Sequence, residues 1–225
     1  MNQVIFNLAE GKRGGDNRPR TLKHKAYNYI KDKIIRCEYP PEAVISERDL
    51  IKELGISRTP IREAINLLQQ ENLVEIYPHR GVFVKNLSIK DIRDIFVVRR
   101  AIEPLVVELA TPRLPMSVIE GFQEFYGNRQ TPVSKEEHIE RDRLFHTTIA
   151  SYCDNQYLVQ VLTNVYDQNS RARILSIRSD ARQREAIQEH MAIIERMRER
   201  NAEAASEAML QHILKAAEVA YHVVC

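Results

Sequence analysis

Asp142 and His146 stand four residues apart in a stretch with helical periodicity, so both side chains project from one helix face. His190, in EHMAIIERM, and His212, in LQHILKAA, lie on two later helical stretches. Three imidazoles and one carboxylate converging inside a bundle would form a ligand set for Zn²⁺, with Ni²⁺ or Mn²⁺ as alternatives. Such a set leaves room for water or a ligand oxygen. Spacing alone leaves another explanation open, in which each histidine is an ordinary, partly buried side chain of an amphipathic helix. A different chemistry is concentrated upstream. Ser57, Arg58, Thr59 and Arg62 crowd hydroxyl and guanidinium donors into the first turns of one helix, where Arg58 and Arg62 share a face. Donors in that arrangement can bond to base edges and phosphates.

Those donors need a scaffold, and the surrounding residues supply one. A helix opens at Ser46, with Asp49 three residues on as in a capping box, and closes at Gly55. The next opens at Ser57, tolerates Pro60 because first-turn amides lack intrahelical partners, and runs to about Glu71. Ile61, Ala64, Ile65 and Leu68 fall on its other side, toward Leu50, Leu54 and Ile56. Val74–Tyr77 and Val82–Val84 then alternate like two short strands around Pro78, His79, Arg80 and Gly81. Helix, turn, helix and β-wing in that order place the second helix in a DNA major groove. Arg48 would reach a flanking phosphate and Arg80, at the wing tip, the neighbouring minor groove, while Gly81 lets the turn tighten. A preceding helix spans about 21–37, with Ala26, Tyr27, Ile30, Ile34 and Ile35 as its stripe, and stops at Tyr39-Pro40-Pro41.

The metal-ligating candidates belong to a second region. From residue 89 onward the pattern is helical throughout, over about 89–111, 115–127, 134–150, 155–177, 180–199 and 201–222. Glycine is absent after Gly127 and proline after Pro132, as a compact helical bundle requires. The expected fold is therefore mainly α: a winged helix-turn-helix with a small β-wing at 21–84, a linker at 85–88 and an all-α antiparallel bundle at 89–225. Residues 1–20, with Lys12, Arg13, Arg18 and Arg20 among few apolar residues, read as a flexible basic arm. Residues 1–88 carry 15 Lys and Arg against 11 Asp and Glu, whereas 89–225 carry 18 against 20, so the basic excess accompanies the DNA-reading segment. No apolar run reaches the roughly 18 residues that a membrane helix needs. Cys37, Cys153 and Cys225 lack metal or disulfide spacing, the pattern of reduced thiols in the cytoplasm. His138 has acidic neighbours, Glu136, Glu137 and Glu140, and is expected on a solvated face.

Ile45 to Ile65 reads I-S-E-R-D-L-I-K-E-L-G-I-S-R-T-P-I-R-E-A-I, and His79 to Val84 reads H-R-G-V-F-V. Both closely resemble the winged-helix domain of the GntR family of bacterial transcription regulators. By that resemblance Arg48, Arg58, Thr59 and Arg62 contact DNA, with His79, Arg80 and Gly81 at the wing. The later motifs D-x-x-F-H (Asp142, Phe145, His146), E-H-x-x-I (Glu189, His190, Ile193) and H-I (His212, Ile213) resemble the FCD ligand-binding domain of the FadR subfamily. Its members often hold a divalent metal with the Asp and His quartet, and six helices look like the shorter VanR-type variant. Val97 to Ala110 resembles that domain's opening helix, whose R-x-x-L-E-P is met by Arg99, Ile102, Glu103 and Pro104. The resemblance implies that Arg99 faces an effector cavity, where its planar fork suits a carboxylate. Ser170 to Ser176, SRARILS, adds Arg173 as a second effector-binding candidate. Salt bridges to Glu103 or Asp94 are the competing role for Arg99.

These readings converge on a ligand-responsive transcription regulator, a repressor acting as a homodimer on a pseudo-palindromic operator. A small organic acid would bind the helical domain, with a carboxylate on the metal. Two alternatives remain open at this level: a metal sensor with the ion as signal, and a metal-dependent hydrolase carrying a DNA-binding appendage.

Overall fold

The structure, a computed structural model, describes residues 21–127, 134–175 and 180–223. The expected basic arm at 1–20, Pro132 and Cys225 lie outside the described residues. The chain divides into two compact units with the boundary between Ser88 and Ile89.

In the first unit, Thr21 opens α1 (Leu22–Ile35) by accepting the backbone N–H of His24. Ala26, Ile30 and Ile34, spaced at four, are fully buried and form one wall of the core. Strand β1 (Val44–Ile45) leads into α2 (Glu47–Leu54). There the Ser46 hydroxyl accepts the Asp49 N–H, and Gly55 ends the helix at φ 65°, a left-handed conformation that costs glycine little. The turn delivers the chain into α3 (Arg58–Gln70), which buries Ile61, Ala64, Ile65 and Leu68 against Leu50 and Ile56. Strands β2 (Val74–Tyr77) and β3 (Gly81–Val84) pair antiparallel, with Val74 opposite Val84 and Tyr77 opposite Gly81. Their turn places His79 at φ 61° and Gly81 at φ 113°. The sheet holds one strand more than the expected two, because β1 pairs with β3 in the order β1-β3-β2.

The second unit contains six helices among the described residues: α4 (Ile89–Ala110), α5 (Met116–Gly127), α6 (Lys135–Ala150), α7 (Gln156–Leu175), α8 (Asp180–Arg198) and α9 (Ala202–Val223). Their ends fall within two residues of the expected ones. Helix α4 runs through Pro104, which can donate no ladder bond. It packs along α7 and α9 and touches α6, while α8 packs against α5 and α9. Phe122, Phe145, Leu114, Ile193 and Ile213 lie in the apolar core. Arg200 Nη1 donates to the carbonyls of Thr111 and Leu114, at 2.7 and 2.6 Å, and so ties the end of α4 to the start of α9. This arrangement brings α4, α6, α8 and α9 around a shared interior, and the candidate ligands point into it.

Candidate functional site: nucleic-acid interface and metal centre

The apolar side of α3 is fixed in the core, so its opposite side must face outward. Arg48, Ser57, Arg58, Thr59, Arg62, His79, Arg80 and Gly81 are all exposed. Ser57 occupies the N-cap of α3, yet its hydroxyl makes no cap bond, leaving the first-turn amides and the hydroxyl available to an anion. Arg48 and Arg58 make no ion pair among the described residues. Arg62 differs, since its Nε donates to both Glu47 carboxylate oxygens, at 2.9 and 3.1 Å. That bond links α3 to the first turn of α2 and orients the arginine.

Deep in the second unit, Asp142 and His146 come from α6, His190 from α8 and His212 from α9. One ligand atom from each lies within 4.8 Å of the others, and all four residues are buried. His146 Nε2 and His190 Nε2 sit 4.0 and 3.5 Å from the Asp142 carboxylate. The His146 and His212 rings stack at 5.4 Å between centroids. Phe145 and Tyr126 flank His190, at 4.6 and 5.0 Å.

The donors fit a divalent ion. His146 Nε2 and both His190 nitrogens are buried without a hydrogen-bond partner, and each such group costs about 1–3 kcal/mol if left unsatisfied. Burial, aided by His212, pushes the His190 imidazolium well below the usual histidine range, and burial also lowers His212. Neutral imidazole is the form a metal takes. Burial alone would raise Asp142, but the Arg173 guanidinium and the neighbouring histidines hold its carboxyl well below the carboxylate range. Two neutral imidazoles and a carboxylate anion, with His146 beside them, match Zn²⁺ or another borderline ion.

The two effector candidates lie beside this cluster, each already engaged. Arg99 is 2 % exposed and its Nε donates to Glu103, four residues on, while its Nη2 is buried without a partner. Arg173 is paired with Asp142 through Nη1. His138 is a correction, being 5 % exposed rather than solvated. It stands one turn before Asp142 on the same face, and that spacing outweighs the acidic residues around it.

Sequence reasoning assigned no role at the centre to Glu189 or Arg182, and gave Glu103 only that of a possible partner for Arg99. Glu189 receives His212 Nδ1 at 2.7 Å and Arg182 at 2.8 and 2.9 Å. Glu103 Oε2 lies 2.7 Å from His146 Nδ1, not aligned as a hydrogen bond. The signal was present for both carboxylates, which sit inside the quoted motifs. Burial opposes their ionisation, but Arg99 and His146 hold Glu103 down at about 2, and His212 and Arg182 do the same for Glu189.

These shifts predict an acid-labile bundle. A carboxylate depressed from 4.5 to about 2 stabilises the fold above 4.5, and that contribution is lost as pH falls toward 2. The lowered histidines act earlier. Below 6.5 the unfolded chain takes protons that buried His190 and His212 refuse, so stability already falls there. Urea unfolding of chelator-treated protein should show stability dropping from pH 8 to 5 and again below 4.5. A flat profile from 8 to 5 would mean that these histidines are not buried in neutral form.

A winged helix with an exposed basic recognition face, joined to an all-helical second domain, defines a DNA-binding transcription regulator. Comparison with known proteins agrees. Residues 22–84 match the bacterial regulatory proteins of the gntR family, and residues 94–215 match the FCD domain. The chain belongs to the GntR family, in the group that carries an FCD domain, as FadR-type members do; these proteins are regulators and not enzymes. YdhC of Bacillus subtilis strain 168, described as an HTH-type transcriptional regulator, is 29 % identical over 92 % of this chain and 94 % of its own. The HTH-type transcriptional repressor RspR of Escherichia coli K12 is 23 % identical, covering 90 % of each chain. The E. coli McbR/YncC structure superposes with a TM-score of 0.75 at 19 % identity, over 90 % of this chain and 98 % of that one, and so shares the fold.

Proposed function

We propose that the protein is a homodimeric repressor whose grip on a pseudo-palindromic operator is set by a small organic acid bound beside a divalent metal. The observation that carries this reading is the buried Asp142, His146, His190 and His212 set with the unpartnered Nη2 of Arg99 close by. Zn²⁺ suits the donors, with Ni²⁺ or Mn²⁺ as alternatives. The ion would be held by the quartet and would polarise a bound carboxylate, while Arg99 and Arg173 would supply hydrogen bonds to its oxygens. Binding alters DNA affinity only through a difference between the DNA-competent and released arrangements, transmitted through the linker at 85–88. RspR, similar along most of its length, is described as a repressor.

The test is operator binding by fluorescence anisotropy, with zinc-loaded and chelator-treated protein, across a panel of small mono- and dicarboxylates. A carboxylate that shifts affinity only in the loaded protein supports the reading. A response to free metal with none to any carboxylate would favour the metal-sensor alternative.

On the DNA side, α3 lies in the major groove, with Ser57, Arg58, Thr59 and Arg62 at bases and phosphates and Arg48 on a flanking phosphate. His79, Arg80 and Gly81 form the wing. Arg80→Ala is expected to weaken binding evenly across sequences and to lower the salt slope by roughly one per lost phosphate contact. Titrations at several salt concentrations check this; an unchanged slope removes Arg80 from the backbone contacts.

Dimerisation is supported by an apolar face. Val97 and Leu105 on α4, 54 % and 45 % exposed, flank Ala101 on one helix side, and Tyr157 and Val161 on the neighbouring α7 are 72 % and 45 % exposed. A second copy docked there would bring two DNA-binding units to one operator, whose half-sites lie about one DNA turn, roughly 34–36 Å, apart. Leu105→Glu should give a monomer in sedimentation and lose operator affinity while keeping helical content. A persistent dimer would move the interface elsewhere.

A further inference from the structure

Two carboxylates stand behind the histidines of the ligand quartet, Glu189 beside His212 and Glu103 beside His146. We infer that Glu189 is a positioning residue that fixes the tautomer and ring orientation of His212, a metal-binding histidine; this rests on the metal reading above.

Glu189 Oε2 is hydrogen-bonded to His212 Nδ1 at 2.7 Å, whereas Glu103 Oε2 lies at the same distance from His146 Nδ1 without the alignment of a hydrogen bond. Each carboxylate also carries an arginine. Arg182 binds both oxygens of Glu189, at 2.8 and 2.9 Å, and Arg99 Nε binds Glu103 Oε1. That arginine decides the chemistry. A buried carboxylate with no other partner would draw a proton onto the imidazole and form an ion pair with it. At Glu189 the guanidinium already balances the charge, so His212 donates its Nδ1–H as a neutral ring. The lone pair is thereby confined to Nε2. A carboxylate behind a ligating imidazole also raises its basicity.

His190 supplies the contrast. Neither of its nitrogens has a hydrogen-bond partner, and aromatic rings hold it in place. His212 should therefore be locked as the Nδ1–H tautomer, while His190 should not be.

Glu189 can be replaced without stranding its arginine, because Arg182 keeps a second carboxylate, Glu185, at 3.5 Å. The experiment uses full-length protein labelled with ¹⁵N-histidine, with long-range ¹H–¹⁵N spectra reporting each tautomer and competition with a chromophoric chelator reporting Zn²⁺ affinity. Wild type is expected to show His212 as Nδ1–H. Glu189→Ala should release that tautomer and weaken Zn²⁺ binding by about 10- to 100-fold. Glu189→Gln, whose amide oxygen still accepts from Nδ1–H, should keep the tautomer and recover part of the affinity. An Nε2–H tautomer at His212 in wild type overturns the inference, as does zinc affinity in Glu189→Ala within twofold of wild type. A wild-type protein that takes up no zinc sinks the metal reading itself. Zinc bound equally by wild type and Glu189→Ala sinks the positioning role alone.

Discussion

Replacing His190 with alanine is expected to abolish zinc binding while leaving the DNA-binding unit folded. Wild-type protein purified without chelator should contain about one ion per chain, and the variant almost none, because a buried site reduced to three ligands loses both a donor and its shape. His190 is fully buried and both its nitrogens lack partners, so the ring contributes no hydrogen bond that the variant would break. Its removal leaves a cavity beside Phe145 and Tyr126, which should destabilise the bundle by a few kcal/mol, on the order of other large-to-small core changes. The winged helix has its own core of Ile30, Ile34, Leu50, Ile61 and Leu68 and should be unaffected. Elemental analysis beside circular dichroism separates the two effects. A stoichiometric ion retained in the variant would show that the quartet is not the site.

Arg58→Ala should have the largest effect on DNA recognition at no cost in stability. The side chain is exposed, makes no ion pair among the described residues and sits at the first position of α3. A bidentate contact from such a position is worth about 1–3 kcal/mol of base discrimination, so operator affinity should fall roughly tenfold or more per half-site. The diagnostic is the loss of preference at one base position in each half-site. Arg62 should behave less cleanly, since its bond to Glu47 means that removing it also loosens the α2–α3 junction. If Arg58→Ala bound all sequences with wild-type ranking, the arginine would be a phosphate contact at most.

Legibility in the sequence followed the range of the interaction involved. Ser46 capping Asp49, the left-handed Gly55 and Pro60 in the first turn of α3 are local devices, and they identified the helix-turn-helix. The six later helices were legible for the same reason. Strand β1 was not, because Val44 and Ile45 are too few to show alternation and pair with a strand that arrives only after two helices. The quartet was legible partly through the four-residue spacing of Asp142 and His146 and otherwise through motif resemblance. Its convergence depends on how α6, α8 and α9 pack, which no spacing encodes. The partners of Arg99 and Arg173 were hidden in different degrees. Glu103 lies one turn from Arg99 and was weighed as its salt-bridge partner, whereas Asp142 meets Arg173 only through tertiary packing.

The Arg173–Asp142 contact has a consequence in charge neutrality. Around the quartet each carboxylate already faces an arginine before any ion enters: Arg173 offsets Asp142, Arg99 offsets Glu103, and Arg182 offsets Glu189, while burial lowers the proton affinity of His190 and His212. A divalent cation would therefore arrive with its whole charge uncompensated in a low-dielectric space, where excess charge is costly. On the proposed reading, the bound acid would supply the missing negative charge. A neutral sugar would leave the imbalance standing and a protonated amine would add to it, whereas a dianion would cancel it and be held far more tightly than its methyl ester. On this view selectivity for an acid would reside not in any single arginine but in a ligand set whose neighbouring carboxylates are already paired.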